Sequence, residues 1–283
     1  MARLPLSVSK AVDAWKEASA KTSESGGVTL AGDAALVAVA QQRLASGGTL
    51  PSAWVRPLAD LAGFASVSGE ILIVFTRPED EAAALAALGP AAPRGGAIVA
   101  VDEGAKASGK TTRPFTRCTR LSFSDSEDGW KRLYGLCAEV AGDKAGAVGR
   151  RYPALRTAAV NRMIYRTAAQ NALIAVAFFV PGADMPAITA NQVKMVLSIA
   201  GIYGAQIDRE RAIEVAGIVA AGFGLRALAR SLARSVPGIG LVVKAASGYA
   251  ATVAMGMAAV RYFESGAPAS TSRVMELAGS LRR

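Results

Sequence analysis

GVTLAGDAALVAVAQQRL, residues Gly27 to Leu44, changes character at its sixth position. Its first part is a short apolar run of the kind that forms a buried strand. From Asp33 onward the Ala/Leu/Val-rich pattern is helical. Ala31-Gly32-Asp33-Ala34 is the turn between them. Strand, tight turn and helix is the repeating unit of an α/β domain, and the helix N-terminus after such a turn is where a phosphate-binding loop sits. This turn has no Lys and no Ser or Thr to hold a metal ion. Asp33 would repel a phosphate and serves better as the N-cap of a helix over 33–45.

Working outward, three more β-rich runs follow: residues 71–76, 97–102 and 119–124. Helical patterns cover 80–88 and 127–140, the latter opening on SDSEDGW, with acids where a helix N-terminus favours them. The alternation predicts a small, mainly parallel sheet with helices on its faces.

The stretch Gly104 to Thr112, GAKASGKTT, fits the phosphate-cradling pattern G-x-x-x-x-G-K-[ST]. A working loop of this kind has a strand before it and a helix opening at the Lys-Thr. The strand is present. The helix is excluded by TTRPFTRCTRL, with its β-branched residues and Pro114, so a basic surface loop feeding the next strand is expected. One site has the residues without the geometry, and the other has the geometry without the residues. The strand ends FTRPED and AVDEG supply no NKxD-like base reader. The first half looks like a small GTPase emptied of its catalytic parts.

The chain has 283 residues and no histidine, which excludes His triads, His metal sites and a histidine general base. Its two cysteines, Cys118 and Cys137, form no CxxC and are expected as reduced, partly buried thiols. The first 25 residues lack the apolar core of a secretory signal and read as a short helix or tail. Residues 1–140 carry 15 basic and 15 acidic side chains, whereas residues 141–283 carry 17 and 7. The whole excess of +10 therefore lies in the second half, which is also the more apolar. That combination points to an anionic membrane surface before nucleic acid. No nucleic-acid motif is present, and no nucleic-acid partner is expected.

The second half reads as four apolar helices. The first begins at Pro153 and runs without a breaker to Pro181. After PGADMP, Thr189 and Gln192 are spaced as a T-x-x-Q capping box for a helix over 190–203. Asp208 can cap a third helix over 209–234, and a fourth follows Pro237-Gly238 to about Phe263. Residues 266–283 read as a polar tail.

The run FFVPGADMPAITANQVKMVLSIAGIYG carries Pro181, Asp184, Thr189, Gln192, Met195, Ile199, Ala200, Tyr203 and Gly204. With GFGLRALARSL and KAASGYAATVAMGMAAVRYFE it resembles the YcjF-like domain of unknown function, over about residues 150–265. The resemblance implies membrane association and a preceding Era-like GTPase domain, here degenerate over 26–145. The family has no established molecular function, so no catalytic residue, metal ligand or cofactor is carried over.

The longest charge-free runs, 167–183 and 245–260, are near the lower limit for a membrane span. Two marginal spans, a hairpin dipping into one leaflet and a soluble bundle all fit. Small residues line one face at Gly217, Ala220, Ala221 and Gly224, and again at Gly248, Thr252 and Gly256, which lets helices approach closely. Arg226, Arg230 and Arg234 share a helical face and are the expected contact for lipid headgroups or an acidic partner. Lys244 interrupts an apolar helix, and either Asp184 or Glu214 is expected to approach it or its ammonium to reach a polar surface. The expectation is a non-enzymatic, membrane-associated pseudo-GTPase on the cytoplasmic face, acting as an adaptor or as an oligomerising scaffold compatible with homo-oligomers. Residual nucleotide binding and a soluble helical interaction module are the alternatives.

Overall fold

A computed structural model describes residues 27–45, 52–54, 71–88, 96–115, 117–177, 185–205 and 240–265. The chain divides into two compact units, one spanning Lys21–Arg162 and one holding Met163–Arg283.

The first unit is built on six strands: β1 Val28–Gly32, β2 Ser52–Trp54, β3 Ile71–Thr76, β4 Ala97–Asp102, β5 Thr111–Phe115 and β6 Cys118–Phe123. They form one sheet in the order β2-β1-β3-β4-β6-β5. All neighbours are parallel except β5, which runs antiparallel to β6 at the edge. Leaving β5 aside, this is the doubly wound order 2-1-3-4-5. The four strands legible in the sequence are its parallel centre. Thr111–Phe115, expected as a loop, is instead an edge strand. Its Pro114 is tolerated because an edge needs hydrogen bonds on one side only, and the pairing slips between Thr112 and Phe115.

Strand parity sorts the core into two layers. On one face Leu30, Ile73, Phe75, Ile98, Leu121 and Phe123 pack against helix α1, Ala34–Leu44, and helix α3, Glu127–Ala141. Trp130 of α3 sits at the centre, its ring 5.8 Å from Phe75 and 5.1 Å from Phe123. Its Nε1 donates to Asp125 Oδ1 at 2.7 Å. On the other face Ala31, Leu72, Val74, Val99 and Val101 meet Ala84 and Leu88 of helix α2, Glu81–Leu88. Ser126 caps α3 by accepting from Gly129 N at 3.1 Å, and Glu127 and Asp128 fill its first turn. Helix α4, Ala145–Arg151, and helix α5, Pro153–Ala177, as far as Arg162 complete this unit. Tyr152 between them is buried, and its OH accepts from Val28 N at 3.2 Å. Cys118 and Cys137 are fully buried, which pushes their thiols up to about 11 and about 12.

The second unit continues α5 and adds helix α6, Met185–Ile202, and helix α7, Gly240–Glu264. Helix α6 starts well before the expected residue 190. It ends in a Schellman motif: Ala205 N donates to Ala200 O and Gly204 N to Gly201 O, with Gly204 at φ 74°. The Tyr-Gly pair read in the sequence is therefore a helix terminator. Among the described residues, no helix is long and apolar enough to cross a membrane. The two marginal spans are not borne out there.

Candidate functional site

In an open α/β sheet, ligands bind beyond the carboxyl ends of the strands, where the winding direction reverses. Here that point lies between β1 and β3, at Gly32-Asp33 and Thr76-Arg77. Gly32 has φ 100°, and a Cβ on it would collide with the Phe75 carbonyl oxygen. Asp33 N donates to that same oxygen at 2.9 Å. The turn is thus drawn down onto β3.

Asp33 caps α1 as its sequence position requires. Oδ1 accepts from Ala35 N at 3.0 Å and Leu36 N at 3.2 Å, and Oδ2 takes Arg77 Nε at 3.2 Å. These donors, the Leu36 amide foremost, hold the carboxyl below its ordinary 3.8. The amides that would cradle a phosphate are occupied by a carboxylate of the chain itself.

The GAKASGKTT stretch is pinned rather than loose. Gly104 N donates to Asp102 Oδ1 at 3.1 Å and opens a single 3₁₀ turn, Gly104–Lys106. Ser108 N donates to Ser122 Oγ at 2.9 Å, and Ser122 N to Lys110 O at 3.0 Å. Beneath it, Arg120 reaches Glu81 Oε1 at 2.6 Å, Glu81 Oε2 at 3.0 Å and Glu103 Oε1 at 2.6 Å. Ser122 Oγ donates to Glu103 Oε2 at 2.5 Å. The Ser122 bond, then Arg120, depresses the Glu103 carboxyl. No helix follows Lys110, so no dipole is aimed at a phosphate held there.

In the second unit the polar side chains of three apolar helices converge. Thr252 Oγ1 on α7 accepts from Asn171 Nδ2 of α5 at 3.0 Å and from Gln192 Nε2 of α6 at 3.0 Å. It donates to Gly248 O at 2.8 Å, which fills a hydroxyl's capacity. Asn191 Nδ2 donates to Asn171 Oδ1 at 2.9 Å. Asn171, Gln192 and Thr252 are buried, and among the described residues Gln192 Oε1 has no hydrogen-bond partner.

This overturns the capping box. Thr189 lies inside α6, and its hydroxyl donates back to Met185 O at 2.7 Å. Gln192 points across to α7 rather than back to an N-terminus. The T-x-x-Q spacing places both on the buried face of a helix, where it serves packing as readily as capping. Met195, Ile199 and Ala200 share the burial. Tyr203 is the residue before the terminating glycine, and its OH donates to Glu264 Oε1 at 2.8 Å.

Residues 145–279 match the family model described as Domain of unknown function (DUF697). This is the YcjF-like family to which the sequence run pointed. No curated protein matches the chain, and no solved structure does. Within the DUF697 domain, the polar seam at Thr252 is where its three described long helices are joined by side-chain bonds.

Pro181, Asp184, Glu214, Arg226, Arg230 and Arg234 lie outside the described residues, as does the stripe at Gly217, Ala220, Ala221 and Gly224. Lys244 is in α7, but its side chain and its expected pairing are also outside them. The stripe of Gly248, Thr252 and Gly256 does face α5: a Cβ on Gly248 would touch Ala175 at 3.5 Å. Asn171 and Asn191 were not anticipated. An amide in the middle of the run TAAQNALIAVAF was the available signal.

Proposed function

We propose that the chain is a non-enzymatic, membrane-associated adaptor or oligomerising scaffold, with an N-terminal GTPase-like shell that no longer takes nucleotide. The observation that carries this reading is Asp33. Its carboxylate uses the α1 amides and Arg77, the donors a nucleotide phosphate would need.

Membrane contact is supported by charge and by exposure. The C-terminal half holds the entire basic excess. On α5, Tyr165 is 45 % exposed and Leu173 is 71 % exposed, and on α7 Tyr249 is 39 % exposed. Arg162, Arg166, Ala169 and Leu173 follow one another at helical spacing, which sets cations beside apolar side chains.

Two measurements test the proposal. Full-length protein should sediment with vesicles containing anionic lipid, and less with neutral ones. Neither GTP nor ATP should shift its melting temperature, and Lys110→Ala should behave like the parent. A nucleotide-dependent shift that Lys110→Ala abolishes would favour the residual nucleotide binder. Protein left in the supernatant with both vesicle types would move the exposed α5 and α7 surface to a protein interface.

A further inference from the structure

Between Glu103 and Asp125 the chain has no acidic residue and five basic ones: Lys106, Lys110, Arg113, Arg117 and Arg120. Arg120 is held by Glu81 and Glu103. The other four are exposed, and among the described residues none of them makes an ion pair. Elsewhere in the same unit Arg43, Arg77 and Lys131 each have a carboxylate. These four cations sit on one edge strand of the sheet and on the connections that flank it.

That edge is β5. Lys110 immediately precedes it, Arg113 lies within it, and Arg117 lies in the turn to β6. At about 3.3 Å per residue, Lys110 and Arg113 are about 10 Å apart along the strand. Thr111 and Thr112 are exposed between them, and Phe115, 41 % exposed, comes between Arg113 and Arg117. The edge therefore offers cations, hydroxyls and one aromatic ring in single file.

Three kinds of partner carry complementary charge. An acidic peptide adding as a further strand would meet Pro114, which has no N–H to give. A lipid surface is a plane, and a single line of cations with one half-exposed ring engages little of it. A phosphodiester chain is linear, takes Lys, Arg and Thr contacts on its phosphates, and offers bases that stack on an aromatic ring. We propose that β5 and the connections on either side of it, which carry Lys106, Lys110, Arg113, Phe115 and Arg117, bind single-stranded polynucleotide. This departs from the expectation of no nucleic-acid partner, which rested on the lack of a nucleic-acid motif and on basic residues set mostly among Ala, Leu and Val rather than among stacking aromatics.

The test is fluorescence anisotropy of full-length protein with a labelled thymidylate or uridylate oligonucleotide of about 15 residues, titrated at several salt concentrations. With four phosphates neutralised, log K should fall against log salt with a slope of about −3. Lys106→Gln, Lys110→Gln, Arg113→Gln and Arg117→Gln combined should weaken binding at least tenfold at low salt and flatten the slope. Phe115→Ala should weaken it several-fold and leave the slope unchanged. Circular dichroism melting checks that both variants stay folded. No binding at low salt overturns the proposal, and so does a combined variant that binds like the parent. It is also overturned if that variant loses anionic vesicles while keeping the oligonucleotide. Vesicle binding that fails while oligonucleotide binding persists would count against the membrane reading alone.

Discussion

Gly256 of α7 has no room for a side chain against Ile164 of α5. A Cβ built on it would stand 2.6 Å from Ile164 Cγ1 and 2.9 Å from both Cδ1 and Cγ2. Ile164 is fully buried, and its branched Cβ leaves it little freedom to move aside. Gly256→Ala is expected to destabilise the DUF697 domain by about 1–3 kcal/mol through overpacking. Gly248→Ala is the contrast. Its nearest contacts are 3.4 and 3.5 Å, so the gain in helix propensity should leave it neutral or slightly stabilising. Urea unfolding of the two variants separates these outcomes, and equal midpoints would contradict the packing described.

Thr252 and Gln192 are expected to respond oppositely. Thr252→Val keeps the shape but strands the buried Asn171 and Gln192 amides, at a cost of about 1–3 kcal/mol for each unmet group. Gln192→Leu removes an oxygen that has no partner and takes only one donor from Thr252. It should be close to neutral or stabilising. Thermal melts of both variants decide it. A Gln192→Leu variant as damaged as Thr252→Val would mean that the orphan oxygen is satisfied in solution.

Asp33→Ala removes the α1 cap and the Arg77 ion pair. The cap is worth about 1 kcal/mol, and the half-exposed ion pair adds little. The folded-state carboxyl is depressed below its unfolded value, so its stabilisation is fully present above the unfolded pKa. It is lost as pH falls through the folded pKa, below 3.8. The stability gap between parent and variant should be constant around neutrality and shrink in acid. A gap that widens in acid would mean that Asp33 is not the ionised cap.

Arg120→Met tests the support beneath the GAKASGKTT turn. It leaves Glu81 and Glu103 facing one another without their shared cation, half-buried. A loss of about 1.5–3 kcal/mol is expected for the charged hydrogen bonds. Arg120→Lys should recover only part of it, because one ammonium cannot serve both carboxylates with the planar fork that Arg presents. Full recovery by Lys would refute the geometry.

The centre of the α/β unit was legible because its signals are local. Residues 71–76 are buried on both sides and read as one apolar run. Asp33 read as a cap because a turn and a helical period meet there. What stayed hidden depended on partners distant in the chain. Thr111–Phe115 looks like a loop by composition, and β6 alone makes it a strand. Thr189 and Gln192 have the spacing of a cap and also the spacing of one helix face, and only the presence of α7 decides between them. The Arg120 bridge joins residues 39 and 17 positions away, and no period in the sequence reports such a pair.

Both thiols of the protein lie in the α/β unit, at residues 118 and 137, and both are sealed in its core. A thiol reagent added to native protein thus has no target until that unit opens. The rate of labelling counts the openings of one half of the molecule and is blind to the other, which has no cysteine. The pair forms a built-in clock for the sheet.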